Sequence, residues 1–308
     1  MTLNLLLKIT VVIVKLQGGL GNQMFQYAAA TALLKDSEKV GLNLNFLTEN
    51  NTDKENFTSR KFELGIFKNI RTYKAINAQV SLFKNTGVYY KFVRLFLRSR
   101  LKYIEQQLNE YIPFDQFNKK NHFYLDGYFQ SEKYFAANRQ QILNDLEFPP
   151  LDEANQATKN KILATDNSVS LHIRRGDYVK LQAVTDIHGL LSISYYNKAI
   201  EFLQKQYPDI TLFVFSDDIS WAKENLQVDT ILVNYMQGNT ATDSWKDMDL
   251  MRNCKHHIIA NSSFSWWGAW LSKQNGKVFA PEKWFNPQKV KFDITDYVPA
   301  NWTILACD

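Results

Sequence analysis

From Ser168 to Pro281 the chain alternates short β-branched or aromatic runs with helix-forming stretches. SVSLHIRR (Ser168–Arg175), TLFVFS (Thr211–Ser216), TILV (Thr230–Val233), HHIIA (His256–Ala260) and KVFAP (Lys277–Pro281) read as strands, with KVFAP the last of the chain. Ser194–Gln206, Ile219–Asn225, Ser244–Cys254 and Phe264–Ser272 read as the helices between them. This alternation specifies an α/β fold with a parallel sheet, because parallel neighbours need a crossover long enough to hold a helix. In such sheets ligands collect beyond the carboxyl ends of the strands. Three loops leave strands at that edge: HIRRGDY (His172–Tyr178), SDD (Ser216–Asp218) and NSS (Asn261–Ser263).

The first half opens in the same way. Ile9–Leu16 reads as a buried strand, GGLGNQ as a glycine loop and MFQYAAATALLK as a helix, which is the start of another α/β unit. VGLNLNF (Val40–Phe46) is the second strand, Gly87–Gln107 a helix, and Phe123–Phe135 a strand end followed by a helix start. Pro149–Pro150 marks a boundary. With 308 residues, two domains are expected, an N-terminal one at 1–150 and a C-terminal one at 151–308.

A net charge of +5 favours anionic ligands. The densest basic cluster, Arg94, Arg98, Arg100 and Lys102, sits among apolar residues and reads as a basic amphipathic helix with a solvated face; peripheral contact with a membrane surface is the minority reading. No nucleic-acid reader motif accompanies the charge. Leu3–Leu16 is shorter than the ~20 apolar residues a bilayer span takes and lacks a cleavage site. Cys254 and Cys307 stand alone, without metal-ligand spacing, and read as reduced thiols of a cytoplasmic protein. No metal site is expected.

The chemistry concentrates at the three loops. Arg174 and Arg175 offer guanidinium forks suited to phosphate oxygens, and Ser262–Ser263 opens a helix whose amides attract an anion. Together they point to a doubly phosphorylated ligand. Because strand residues alternate sides, one arginine faces the ligand while the other can pair internally. Asp217–Asp218 reads as a helix cap rather than a metal pair. Asp247 is either a solvated carboxylate or a clamp for the N1–H and N2–H of guanine. The GGLGNQ loop lacks the third glycine and the later acidic residue of a dinucleotide fingerprint. It is either a structural turn or a place where Gly19, Asn22 and Gln23 meet a sugar. Trp266, Trp267 and Trp270 read as core.

Five segments in order, LQGGLGNQMFQYA (Leu16–Ala28), GYFQSEKYF (Gly127–Phe135), HIRRGDYV (His172–Val179), FVFSDD..W (Phe213–Trp221) and HHIIANSSFSWWGAWL (His256–Leu271), resemble the motif set of bacterial α-1,2-fucosyltransferases. The resemblance implies a GT-B architecture, two Rossmann-like domains with parallel sheets facing an interdomain cleft. It implies inverting transfer of L-fucose from GDP-β-L-fucose, a co-substrate rather than a cofactor, to the 2-hydroxyl of a terminal β-galactose. His172, Arg174, Arg175, Ser216, Asp247, Asn261, Ser262 and Ser263 would bind the donor, and Gly19, Asn22 and Gln23 would lie on the acceptor side. Arg175 would stabilise the departing diphosphate. Asp177 is the first choice of base and His188, in TDIHG, the second. The rival readings are another GDP-sugar transferase, of the α-1,6- or protein O-fucosyltransferase kind, and a non-catalytic sugar-nucleotide-binding protein.

If the arginines supply the positive charge a cation would otherwise bring, transfer survives excess EDTA nearly unchanged. Loss of activity on chelation with recovery on adding Mn²⁺ would instead make Asp217 and Asp218 ligands.

Overall fold

A computed structural model describes residues 11–35, 38–53, 58–84, 100–107, 110–176, 179 and 182–307. Contacts divide the chain into two compact units, with the main division between Glu147 and Phe148. Each is an α/β unit built on its own parallel sheet.

The first unit carries β1 (Val12–Lys15), α1 (Leu20–Thr31), β2 (Val40–Asn43), α2 (Asn45–Glu49), β3 (Thr72–Lys74), α3 (Asn77–Lys84), β4 (Leu101–Glu105), β5 (His122–Asp126) and α4 (Arg139–Asp145). Its sheet runs β3-β2-β1-β5-β4, with every pairing parallel. VIVK of β1 lies between β2 and β5, so three of its four side chains are fully buried, which is why it reads as a continuous apolar run. In α1 the alanines let the helix lie close on the sheet, and Met24, Phe25 and Tyr27 fill the space beside it.

The second unit carries α5 (Glu153–Leu163), β6 (Ser168–Ile173), α6 (Gln182–His188), α7 (Ile193–Gln206), β7 (Thr211–Ser216), α8 (Ile219–Asn225), β8 (Leu232–Tyr235), α9 (Trp245–Asn253), β9 (His256–Ile258), α10 (Ser263–Trp270), β10 (Val278–Pro281), α11 (Ile294–Tyr297) and β11 (Thr303–Leu305). The order is β11-β10-β9-β6-β7-β8, again all parallel. From β6 the chain moves outward through β7 and β8, then returns to place β9 on the other side of β6. The order reverses between β6 and β9, and the crevice at such a switch point is where doubly wound sheets hold ligands.

Both faces of this sheet are covered. Val169, Leu171 and Ile173 point to one face, against Tyr195, Tyr196, Ala199 and Leu203 of α7. On the other face Phe213 and Phe215 meet Ile162, Leu250, Met251 and Cys254. Trp266, Trp267 and Trp270 are buried core side chains, and the Trp266 indole donates to the Tyr297 carbonyl at 2.6 Å. Gly268 lets α10 approach α9, since a Cβ there would lie 3.0 Å from Met251 Cβ. Cys254 and Cys307 are buried free thiols.

Three expectations are corrected. Residues 101–105 are strand β4, not the end of a helix from Gly87; residues 87–99, with Arg94 and Arg98, lie outside the described residues. Pairing with β5 from Leu101↔His122 to Glu105↔Asp126 decides this, burying Leu101 and Ile104 on an edge strand. The Val40–Phe46 strand stops at Asn43, whose Oδ1 accepts the Asn45 amide and turns the chain into α2. KVFAP is not last: β11 adds three half-exposed residues beside β10, too short and too exposed to show a strand pattern. Among the described residues no helix is long and apolar enough to cross a membrane.

Gly276 just before β10 is a close-approach position, because a Cβ there would collide with the Lys255 carbonyl oxygen. The obstacle is backbone entering β9, so it has no rotamer by which to retreat. Gly276→Ala is expected to destabilise the protein by about 3 kcal/mol or more, at the upper end of overpacking effects. A melting temperature within a degree of the parent's would show that the strand entry shifts freely.

Candidate functional site

The carboxyl ends of β6, β7 and β9 bring His172, Arg174, Arg175, Ser216, Asn261, Ser262 and Ser263 to one edge. Beyond β6, Arg174 Nη1 lies 2.7 Å from Asp217 Oδ2, and the Arg175 amide donates to Asp217 Oδ1 at 2.8 Å. Asp217 thus grips a side chain and a main-chain amide of the neighbouring loop. Gly176 makes room for it: a Cβ there would sit 2.7 Å from Asp217 Oδ2. Asp218 caps α8, its Oδ1 accepting the Trp221 amide at 3.1 Å, while its other oxygen lies 3.5 Å from Arg175 Nε. That separation is ionic contact without hydrogen-bond geometry. The Arg175 guanidinium rests on the Trp221 ring, 4.0 Å from its centroid.

Both arginines therefore have carboxylate partners, where the alternation of a strand suggested that only one would. Each remains partly exposed, at 25% and 19% for the two side chains. The carboxylates Asp217 and Asp218 are occupied by these arginines and by the α8 cap. Ser216 Oγ accepts the Asp218 amide at 2.9 Å, so this candidate donor contact shapes the turn.

His172, on β6, is buried against the Phe264 ring, with 5.8 Å between centroids. Its Nδ1 is buried without a hydrogen-bond partner. Burial lowers its pKa to about 4, with Asp217 opposing and Arg174 assisting, so the ring is neutral at physiological pH. His188 ends α6, its ring 5.2 Å from that of Phe285, and burial followed by the nearby Arg174 lowers it to about 4 as well. Asp177 lies outside the described residues.

Across the switch point, β9 leads into Asn261, Ser262 and α10. Ser262 Oγ caps the helix by accepting the Phe264 amide, and the Ser262 amide is committed to the Ala260 carbonyl at 2.8 Å. The amide expected to hold an anion is thus Ser263's alone, at the first position of the helix. Asn261 is 2% exposed, and its Nδ2 donates to the His188 carbonyl at 3.0 Å with the Gly189 and Trp284 carbonyls at 3.4 Å. Its side-chain amide thus anchors the loops around His188 and Trp284.

Asp247 stands in the first turn of α9. Its Oδ1 accepts from Asn239 Nδ2 at 2.7 Å, and Asn239 in turn exchanges bonds with Asn155 on α5. Burial raises its carboxyl to about 6, with the Asn239 bond working in the opposite direction. A buried carboxylate held by one neutral donor keeps acceptor capacity for another partner.

In the first unit, Gly18 adopts φ +76° and sits against Asn22, so a side chain there would be strained and crowded. Gln23 is fully buried. Its Nε2 donates to the Gly18 and Lys61 carbonyls and its Oε1 accepts the Glu63 amide. These bonds tie Gly18 and the 61–63 segment to α1, and a fully buried side chain presents no surface to a sugar, which corrects the expectation for Gln23. Asn22 is half-buried and accepts from Gln130 Nε2 at 2.7 Å, while Gly19 faces the Glu63 carboxylate. Burial raises the Glu63 pKa, with Arg60 and the Leu20 amide opposing. Glu63 and Asn239 carry no motif, and their positions come only from folding; Gln130 lies within GYFQSEKYF but is not among the site residues that the resemblance implies. Trp221 was visible as the aromatic position closing FVFSDD..W.

The chain matches glycosyl transferase family 11 over residues 5–306. An α-1,2-colitosyltransferase of Escherichia coli is 34% identical over 95% of this chain and 98% of its own length. The O-antigen biosynthesis glycosyltransferase WbnK of Escherichia coli is 34% identical over 90% and 97%. The human galactoside α-(1,2)-fucosyltransferase 1 is 24% identical over 67% of this chain and 62% of its own length. A match that runs almost end to end, with relatives aligned at full length, makes this chain a member of glycosyl transferase family 11.

Proposed function

We propose that the protein transfers L-fucose, with inversion, from GDP-β-L-fucose to the 2-hydroxyl of a terminal β-galactose. The observation that carries this reading is the cradle at the switch point, where two oriented guanidinium groups and the start of α10 converge from adjacent strand ends. A diphosphate needs that combination of fixed positive groups. The names of the relatives support a deoxysugar donor and an α-1,2 linkage. One of them favours a second reading for the sugar: the relative matched over 98% of its length is named a colitosyltransferase, and colitose, which lacks the 3-hydroxyl of fucose, is the alternative donor sugar. The acceptor would be a galactose-terminated oligosaccharide, of the O-antigen kind in the case of WbnK-like activity. The reading carries with it a GT-B arrangement, an acceptor-binding first unit and a cytoplasmic site of action.

In this mechanism the bond between C1 of the sugar and the β-phosphate oxygen breaks as the acceptor oxygen attacks from the opposite face. Negative charge gathers on the departing GDP, where Arg175, Arg174 and the Ser263 amide stabilise it without a metal. Because Asp217, Asp218 and Trp221 hold the arginines in place beforehand, little reorganisation is needed as charge develops. The proton of the acceptor goes to Asp177 or His188. A neutral His188 can accept a proton, but a pKa near 4 makes it a weaker base than an ordinary imidazole. His172 lines the nucleotide site, and Asp247 accepts N1–H and N2–H of guanine.

Arg175→Ala is expected to slow transfer by about two to three orders of magnitude, the range for one lost transition-state donor. Arg175→Lys recovers little, because an ammonium neither stacks on Trp221 as a plane nor offers a fork. Near-parental turnover in both variants would sink the clamp and leave Arg175 as a structural partner of α8.

The guanine assignment predicts a pH dependence. Asp247 accepts only as a carboxylate, so GDP affinity is full above its pKa and falls as pH drops through about 6. Asp247→Asn should weaken GDP binding by roughly 1.5–3 kcal/mol, the range for hydrogen bonds to a charged partner. It should also abolish that acid limb and narrow the preference for GDP over IDP. Titration calorimetry of both nucleotides between pH 5 and 8 checks this. Unchanged GDP affinity in the variant would make Asp247 a link in the Asn239–Asn155 chain and nothing more.

A further inference from the structure

A cavity of about 280 Å³ opens beside the phosphate-type cradle of the second unit. One wall is apolar, formed by Leu190, Leu191, Phe285 and Pro287, and the rim is polar, with Lys283 and Gln288. The cavity is tied to the cradle through Asn261. Asn261 immediately precedes the Ser262–Ser263 turn, and its Nδ2 is bonded to His188 and close to Gly189 and Trp284, at the roots of both lining segments. A second bond, from the Asn286 amide to the Ile187 carbonyl at 2.8 Å, joins those segments directly. These bonds fix the pocket's two lining segments to the residue that opens the anion-binding turn. A sugar attached directly to a phosphate seated at the turn lies one glycosidic bond away, and His188 of the pocket lining is near enough to feel the charge of Arg174.

The composition of the wall bears on which sugar fits. Leu190 is 42% exposed and follows Gly189, with Leu191 buried beside it. A pyranose presents hydroxyl groups on nearly every carbon, and beyond the C–H faces of its ring a deoxy methyl is the apolar group it can offer to such a wall. A hydroxymethyl group placed there would lose its water and gain no partner from Leu190, Leu191 or Pro287.

We infer that this pocket seats the sugar ring of the donor, and that its apolar wall selects a methyl group at C6. The inference rests on the reading of the second unit as a GDP-sugar site. It assigns Leu190 as a specificity-determining residue and gives Asn261 the task of positioning the pocket against the diphosphate.

The test compares three ligands by titration calorimetry: GDP, GDP-L-fucose, and GDP-L-galactose, which differs from GDP-L-fucose by a hydroxyl on C6. The parent protein should prefer GDP-L-fucose by up to about 100-fold, the extent to which an apolar pocket rejects an added hydroxyl. Leu190→Asn, which supplies a partner for that hydroxyl, should shrink the preference at least tenfold while GDP affinity stays at the parental value. Leu190→Trp, which fills the pocket, should weaken GDP-L-fucose at least tenfold and again spare GDP. Because Leu190 is partly exposed, both variants are expected to fold. A preference retained in Leu190→Asn together with undiminished GDP-L-fucose affinity in Leu190→Trp overturns the pocket assignment and leaves the GDP site standing. A parent protein that binds GDP no better than ADP overturns both.

Discussion

Asp217 is the contact on which the rest of the second unit's edge depends. Its two oxygens hold the Arg174 side chain and the Arg175 amide, joining the loop after β6 to the end of β7. The pairing of β6 with β7 runs in register from Ser168↔Thr211 to Ile173↔Ser216, so Asp217 continues the ladder with a side chain where backbone pairing stops. Gly176 is required for that approach, and Asp218 then starts α8. Asp217 thus orients the Arg174 guanidinium and fixes the backbone of Arg175, whose own guanidinium is held by Asp218 and Trp221.

That arrangement also sets the electrostatics of the site. Two arginines and two aspartates make a charge-balanced edge: the carboxylates are held by internal partners, and both guanidinium side chains stay partly exposed. Charged donors fixed in advance are worth more to a developing anion than mobile ones, because they need no reorganisation. The same positive group reaches His172 and His188, and burial does most of the work of keeping both rings neutral. Burial has the opposite consequence for Asp247, whose carboxyl it raises into the mildly acidic range. Desolvation disfavours the charged form in each case, and the direction follows from which form is charged.

The first unit uses its signature loop differently. GGLGNQ is spent largely on architecture: Gly18 supplies a left-handed residue, and Gln23 staples the 61–63 segment to α1. Asn22 and Gly19 stay near the surface beside Gln130 and Glu63, residues drawn from distant parts of the chain. A motif can therefore mark a functional region even when most of its members hold the scaffold.

The sequence by itself determined the α/β class, nearly every strand of the second sheet, and the convergence of the three loops, because parallel sheets bury both faces and leave continuous apolar runs. β7 and α8 are found where the pattern places them, since each is bounded by strong signals: a β-branched and aromatic run, then Asp218 as a cap. Edge strands β3, β4 and β11 escaped it, because half-exposed strands of three to five residues look like loops or helices until a neighbour pairs with them. The partners of the site residues escaped it for a related reason. Asp217 with Arg174, Asn239 with Asp247, and Asn261 with the His188 carbonyl are contacts between segments 8 to 73 residues apart. Local pattern names which side chains carry chemistry, but only the packing of distant segments decides which of them are occupied by the protein itself and which remain open to a ligand.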